Sequence, residues 1–303
     1  MAAPAPRFPS FVVIGAAKSG TTALYHLLRQ HPQVFMSRVK EPGFFAFDET
    51  RPSFSGPHQD SLVNARFVWR LDEYLDLFRS AGNARALGEV TPYYLVSPRA
   101  APSLKTHVEG VRLVALLRHP VERAYSHYLM LVRDGHEPLS FEEALAAEPA
   151  RTAANWYWGR YREHGYYHRH LRRYFDLFPR EHIRVYLYDD FRRDPLGLLR
   201  DLFEFLGVDS NVAIDTSARH NVSGVLRNPV WRLLWSRSNS IRALIRPLLP
   251  RALRRRVAAF FETRPMLKPP MSDETRRELL AGYRDDILKL QDLIGRDLSA
   301  WLR

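Results

Sequence analysis

The chain has 303 residues, with 45 Lys+Arg against 33 Asp+Glu, 12 His and no Cys. At 46% hydrophobic and 26% charged its composition is that of a globular protein, which excludes the disordered and fibrous classes. Without Cys there is no disulfide framework, thiolate zinc site, iron–sulfur cluster or cysteine nucleophile.

The N-terminal MAAPAPRFPSFVVIG carries one Arg and no apolar h-region, so a secretory signal is not expected. No run approaches the ~18 apolar residues of a membrane-spanning helix, and the expectation is a cytoplasmic protein. The net charge of +12 is uneven: ten Arg and no acidic residue fall between Thr216 and Phe261. One basic block predicts a local anionic partner, not nucleic acid.

In chain order, Phe11–Gly15 is a short apolar run ending in Gly and reads as a buried strand. Thr21 to Gln30 has helical spacing and stops before His31-Pro32. Ala86–Val90 and Arg112–Leu117 are further strands, the second followed by Arg118-His119-Pro120 and a helix to about Val132. Ser140-Phe-Glu-Glu143 is a capping box. Gly165 to Phe178 reads as an amphipathic helix, Ile183–Tyr188 as a strand, and Asp194-Pro195 opens a helix to about Leu206. Pro265–Pro270 reads as a linker, after which Ser272 caps a last helix to about Ile294. Strands separated by helices, with no tight hairpins, predict an α/β fold: a central parallel sheet with helices on both faces, plus a C-terminal helical segment.

The stretch Gly15-Ala-Ala-Lys18-Ser19-Gly20-Thr21-Thr22 follows the first strand and opens the first helix. Unpaired backbone N–H groups and the helix dipole face an anion there. Its two Gly have the spacing of a nucleoside-triphosphate P-loop, but Thr21 stands at the Lys position and Lys18 sits within the loop. A triphosphate also needs Lys across its outer phosphates and an acid for Mg²⁺. The loop suits a smaller, less charged group; a strand–helix turn without a ligand is the plain alternative.

The GAAKSGTT loop resembles the 5′-phosphosulfate loop of sulfotransferases that use 3′-phosphoadenosine 5′-phosphosulfate. Val114 to Ser126, a strand, then Arg118, then Ser126 on the next helix, is similar to that family's 3′-phosphate segment. Lys40-Glu41-Pro42-Gly43-Phe44-Phe45 and Gly88-Glu89-Val90-Thr91-Pro92-Tyr93-Tyr94 resemble segments of its carbohydrate branch, heparan-sulfate-type and bacterial. The order and spacing agree along residues 11–206.

The resemblance implies a P-loop-like single sulfotransferase domain over residues 8–303. Residues 8–210 form an α/β core with the donor site, and 211–303 a donor-closing loop and helical cap. The donor would be 3′-phosphoadenosine 5′-phosphosulfate, held by Lys18, Ser19, Gly20, Thr21, Thr22, Arg118 and Ser126, with no metal. Arg219 to Arg227 resembles the late nucleotide-gripping segment of bacterial members, which adds Ser223, Gly224 and Arg227, although the usual Lys/Arg-Gly string is missing. The acceptor would be a hydroxyl, or an amine, of a sugar or glycolipid.

For the base, the resemblance carries that role onto Glu41, with Lys18 at the leaving phosphate and Lys40 assisting. Glu89 is a second carboxylate that could orient Lys40, bind the acceptor or take the base's place. Lys105-Thr106-His107 mimics the histidine base of the phenol and steroid branch, but lies too close before Arg118 and reads as a surface helix position. Tyr167 and His170 partly resemble the helix that borders the acceptor cleft, and an aromatic core stripe explains them nearly as well. Two alternatives stay open: a nucleoside-triphosphate phosphotransferase, and an inactive, anion-binding relative.

The Arg-rich block at 216–261 interleaves Trp231, Leu234, Trp235 and Ile241 with Arg232, Arg237 and Arg242. It reads either as a helical cap with solvated Arg or as a surface for an anionic polysaccharide or for anionic membrane at the inner face. Co-sedimentation with anionic against neutral vesicles separates the two. Adhesion, at about 1 kcal/mol per outward-facing Arg, is expected at low salt and should weaken at physiological salt. Equal recovery with both vesicle types reduces the block to a solvated cap.

Overall fold

Phe11–Gly15 forms strand β1, every residue of it buried. It lies at the centre of five parallel strands in the order β2-β3-β1-β4-β5, where β2 is Val34–Met36, β3 Ala86–Val90, β4 Arg112–Leu117 and β5 Ile183–Leu187. The structure, a computed structural model, describes residues 7–57, 59–217 and 270–303. Ser223, Gly224, Arg227 and all but the first two residues of the Arg-rich block lie outside the described residues. No helix among the described residues is long and apolar enough to cross a membrane.

In chain order the helices are α1 (Thr21–Leu28), α2 (Phe44–Phe47), α3 (Gln59–Leu62), α4 (Leu71–Asp76), α5 (Ala100–His107) and α6 (Pro120–Asp134). They continue with α7 (Phe141–Ala153), α8 (Tyr167–Leu177), α9 (Tyr188–Arg193), α10 (Pro195–Leu206) and α11 (Asp273–Ile294). The two-residue period of the strands sorts their side chains into two cores. Val12, Ile14, Leu113, Ala115 and Leu117 meet apolar residues of α2, α5, α6, α8 and α11 on one face. Phe11, Val13, Val114 and Leu116 meet α1, α9 and α10 on the other. The expected parallel sheet with helices on both faces is what the chain forms.

The bounds of β1, β3 and β4 coincide with the sequence reading. The Ser140 capping box is made in full, and the Ser272 side chain accepts from the Thr275 N–H at the head of α11. Helix α8 starts at Tyr167, later than expected, because Glu163–Gly165 winds into a 3₁₀ turn. Strand β5 stops at Leu187 because Tyr188 already belongs to α9. Strand β2 and helix α2 were not foreseen: β2 has three residues, and α2 buries all four of its side chains, so neither displays a period. His107 departs from a plain surface position. Its Nε2 lies 2.7 Å from Asp48, and its ring packs 5.6 Å from Phe44.

Gly88 faces Phe11 across the β1–β3 pair, and a Cβ there would fall 2.1 Å from the buried ring. Gly88→Ala should therefore overpack the sheet centre and destabilise the fold by about 1–3 kcal/mol, read as a lower midpoint in thermal unfolding. An unchanged midpoint would mean that the Phe11 ring moves aside at no cost.

Candidate active site

Strands β3, β1 and β4 are neighbours and parallel, so their carboxyl ends open on one edge of the sheet. That edge receives Thr91, the loop Gly15–Thr22 and Arg118. In the loop, Lys18 and Gly20 are left-handed, with φ of 69° and 94°. At Gly20 a Cβ would also crowd the Tyr188 ring at 3.1 Å. Ser19 and Thr21 are buried, and Ser126 on α6 is fully buried.

Arg118 ties β4 to this loop: its guanidinium donates to the Lys18 carbonyl at 3.3 Å and lies 5.0 Å over the Tyr188 ring. Its carbonyl accepts the Tyr167 hydroxyl at 2.8 Å. Burial is the main cause that lowers the Lys18 pKa to about 8. Arg133 and Arg118 push the same way, while Asp134 and Glu41 work against them. The Arg133–Asp134 pair at the end of α6, joined at 2.8 Å, thus belongs to the surroundings of Lys18, which the sequence reading missed.

Glu41 stands beside the end of β3, its N–H bonded to the Val90 carbonyl at 2.9 Å. Its carboxylate takes Lys40 on one oxygen and Arg66 on the other. Burial raises its pKa, but the charges and hydrogen bonds of Lys40 and Arg66 outweigh burial and hold it below the ordinary value. Arg66 comes from the 3₁₀ turn Asn64–Arg66, in a segment without a readable motif. Glu89, fully buried on β3, accepts hydroxyl protons from Tyr74, Thr91 and Tyr94. Burial pushes its pKa up to about 7, against those three bonds.

The structure thus gathers Lys18, Ser19, Gly20, Thr21, Thr22, Arg118, Lys40, Glu41 and Glu89 at one sheet edge, with Ser126 on the helix after β4. Tyr167 and His170 are both buried on α8. Tyr167 stands behind Arg118, and His170 Nε2 lies 2.9 Å from the Glu163 carbonyl. Burial lowers the His170 pKa to about 4, so the imidazole is neutral.

Residues 9–211 match the model of the Sulfotransferase family. The sulfotransferase crystal structure from Alicyclobacillus acidocaldarius is 32% identical with a TM-score of 0.78, covering 98% of this chain and 100% of that one. The membrane-associated sulfotransferase kil1 of Dictyostelium discoideum is 34% identical over 146 residues, 46% of this chain and 28% of its own length. The bifunctional heparan sulfate N-deacetylase/N-sulfotransferase 3 of Homo sapiens is 27% identical over 308 residues, 98% of this chain and 31% of its own. The chain therefore spans about a third or less of these two curated relatives.

A carboxylate whose pKa is depressed by folding stabilises the fold above its ordinary pKa, and that contribution is lost as pH falls through the folded value. For Glu41 the contribution is complete above about 4.5, the ordinary value. Arg66→Ala removes one of its two cations, so the unfolding midpoint of the variant should lie below wild type near neutrality. The gap should close as the pH falls below the ordinary value. A gap independent of pH would show that the Arg66–Glu41 pair contributes nothing through charge.

Proposed function

The chain belongs to the sulfotransferase family, and we propose that it moves a sulfuryl group from 3′-phosphoadenosine 5′-phosphosulfate to a hydroxyl, or an amine, of a carbohydrate or glycolipid. One observation carries this reading: the Lys18 loop, Arg118 and the ion group centred on Glu41 meet at a single sheet edge. The loop's N–H groups and Lys18 would receive the 5′-phosphosulfate, and Arg118 with Ser126 the 3′-phosphate. The names of the heparan sulfate relatives support a sugar acceptor.

In the reaction the acceptor oxygen attacks sulfur and the bond from sulfur to the bridging oxygen breaks. Adenosine 3′,5′-bisphosphate then leaves. Lys18 neutralises the charge that builds on the bridging oxygen, where a fixed cation in a partly buried site is most effective. Glu41 receives the acceptor proton. Its depressed pKa makes it a weak base toward a free alcohol. The proton need move only as the oxygen–sulfur bond forms, however, when the acceptor oxygen has become strongly acidic. Lys40 and Arg66 keep Glu41 ionised and ready. If the sugar is lipid-linked, the Arg-rich block would hold the cleft against an anionic membrane from the cytoplasmic side.

Adenosine 3′,5′-bisphosphate should raise the unfolding midpoint and ATP with Mg²⁺ should not; the reverse would favour a phosphotransferase. With heparan sulfate or its de-N-sulfated form as probe acceptor, mass spectrometry should find the gain of one SO₃ unit. Glu41→Gln should cut turnover by roughly 10²–10⁴-fold and leave bisphosphate affinity nearly intact.

Lys18→Ala and Arg118→Ala should each weaken bisphosphate binding by about 1.5–3 kcal/mol. Wild-type affinity should also fall as the pH rises through about 8, where free Lys18 loses its charge. Affinity in the Lys18→Ala variant should show no such step. The same step in that variant would assign it to another group.

A further inference from the structure

Glu89, one residue before the end of β3, is fully buried, and among the described residues no cation pairs with it. Hydroxyls take that place. Tyr74 and Tyr94 donate to Oε1 at 3.0 and 2.7 Å, and Thr91 donates to Oε2 at 2.6 Å. A hydroxyl has one proton, so one that donates to Glu89 can only accept from its other neighbours. Two of the three do so: Thr91 Oγ1 accepts the Gly43 N–H at 3.3 Å, and the Tyr94 oxygen accepts the Phe45 N–H at 3.3 Å.

Those two amides belong to the segment that presents Glu41. Its backbone is unusual, with φ of 61° at Glu41 and 84° at Gly43. A glutamate in the left-handed region persists only where its surroundings hold it. Gly43 cannot be replaced without conflict, because a Cβ would fall 2.3 Å from the Phe67 ring. The segment is tied at the Glu41 N–H by Val90 and at the Pro42 carbonyl by Val68. The hydroxyls of Thr91 and Tyr94 add two further ties, and Glu89 fixes the direction of both.

The geometry points to Glu89 as a positioning residue for Glu41: by accepting hydroxyl protons from Thr91 and Tyr94, its carboxylate turns both oxygens to receive the Gly43 and Phe45 amides and so holds the loop that carries Glu41. This rests on the proposed base only for what the loop is held for; the relay stands on its own hydrogen bonds. It also explains how a carboxylate can sit at the sheet edge and yet be closed to an acceptor, its oxygens being occupied by hydroxyls and shut off from solvent.

Glu89→Gln keeps the shape and breaks the logic. An amide NH₂ must face either Thr91 or the two tyrosines, and each of those arrangements confronts a relay hydroxyl with a donor. That hydroxyl can no longer give its proton to residue 89, and turning the proton toward the loop opposes a backbone N–H. Above pH 7, where the Glu89 carboxyl is ionised, hydrogen exchange at the Gly43 and Phe45 amides reads this directly: at least one should exchange about tenfold faster or more in Glu89→Gln, while β4 amides stay unchanged. With de-N-sulfated heparan sulfate as probe acceptor, kcat should fall about tenfold or more at unchanged bisphosphate affinity. In a Glu41→Gln background the same substitution should cost almost nothing further.

Unchanged exchange at both amides would overturn the proposal. So would a kcat loss that multiplies in full with that of Glu41→Gln, since Glu89 would then act independently of Glu41. If Glu89→Gln does not fold, Thr91→Val and Tyr94→Phe keep the carboxylate and remove one relay each. The first should speed exchange at Gly43 and the second at Phe45, and no change in either variant is again fatal. Should wild type sulfate neither heparan sulfate nor its de-N-sulfated form, the chosen acceptor class falls while the exchange measurement still decides the relay.

Discussion

A parallel sheet buried on both faces leaves one place for a polar site, the edge where its strands end. Here that constraint acts through β1, which is wholly buried and is flanked by β3 and β4 in the same direction. Much of the site continues one of these three strands or is tied to its end. The Lys18 loop continues β1, Thr91 and its neighbours continue β3, Arg118 continues β4, and Glu41 is bonded to the last residue of β3. The apolar alternation that builds the two cores therefore also sets the spacing of the site.

The two carboxylates at this edge are treated in opposite ways. Glu41 meets Lys40 and Arg66, which pull its pKa down in spite of burial. Among the described residues the Glu89 carboxylate meets only hydroxyls, and burial pushes its pKa up to about 7. Environments that drive two acids apart separate their tasks. The group paired with cations stays ionised and reaches the open side, whereas the group wrapped in hydroxyls is closed to substrate. The sequence shows both as a Glu within a resembling segment, and nothing in either string distinguishes a paired acid from an enclosed one.

Much of the frame was legible because it rests on local signals. An apolar run ending in Gly marked β1, the Ser140 and Ser272 caps marked helix starts, and Arg118 came directly after the clearest strand. What was not legible depends on contacts far along the chain. Arg66 has no motif around it and meets Glu41 only because its turn packs beside the segment after Lys40. Tyr74 reaches Glu89 from a six-residue helix too short to display a period. Tyr167 and His170 could be read from the sequence as core stripe or cleft wall, since helical spacing is the same for both. Only the fold shows them inside it.

The charge around Lys18 favours an anion in its loop. Lys18, Arg118 and Arg133 lie close enough for the two arginines to lower the lysine's pKa, and the nearby carboxylates Asp134 and Glu41 only partly offset them. Of these, Asp134 is bonded to Arg133, and Glu41 is held by Lys40 and Arg66. Cations crowded in this way repel one another, and an anion placed among them removes that repulsion as well as gaining its own attraction. Binding of a phosphate-bearing donor should then draw the proton more tightly onto Lys18. In the proposed reaction the lysine would thereby be fully charged when the leaving phosphate needs it, although burial alone would drive it toward neutrality. A loop with its lysine in the ordinary P-loop position would reach outward along a longer phosphate chain. With Lys18 inside the loop and beside Arg118, the positive charge is concentrated where a short, terminal anionic group would sit.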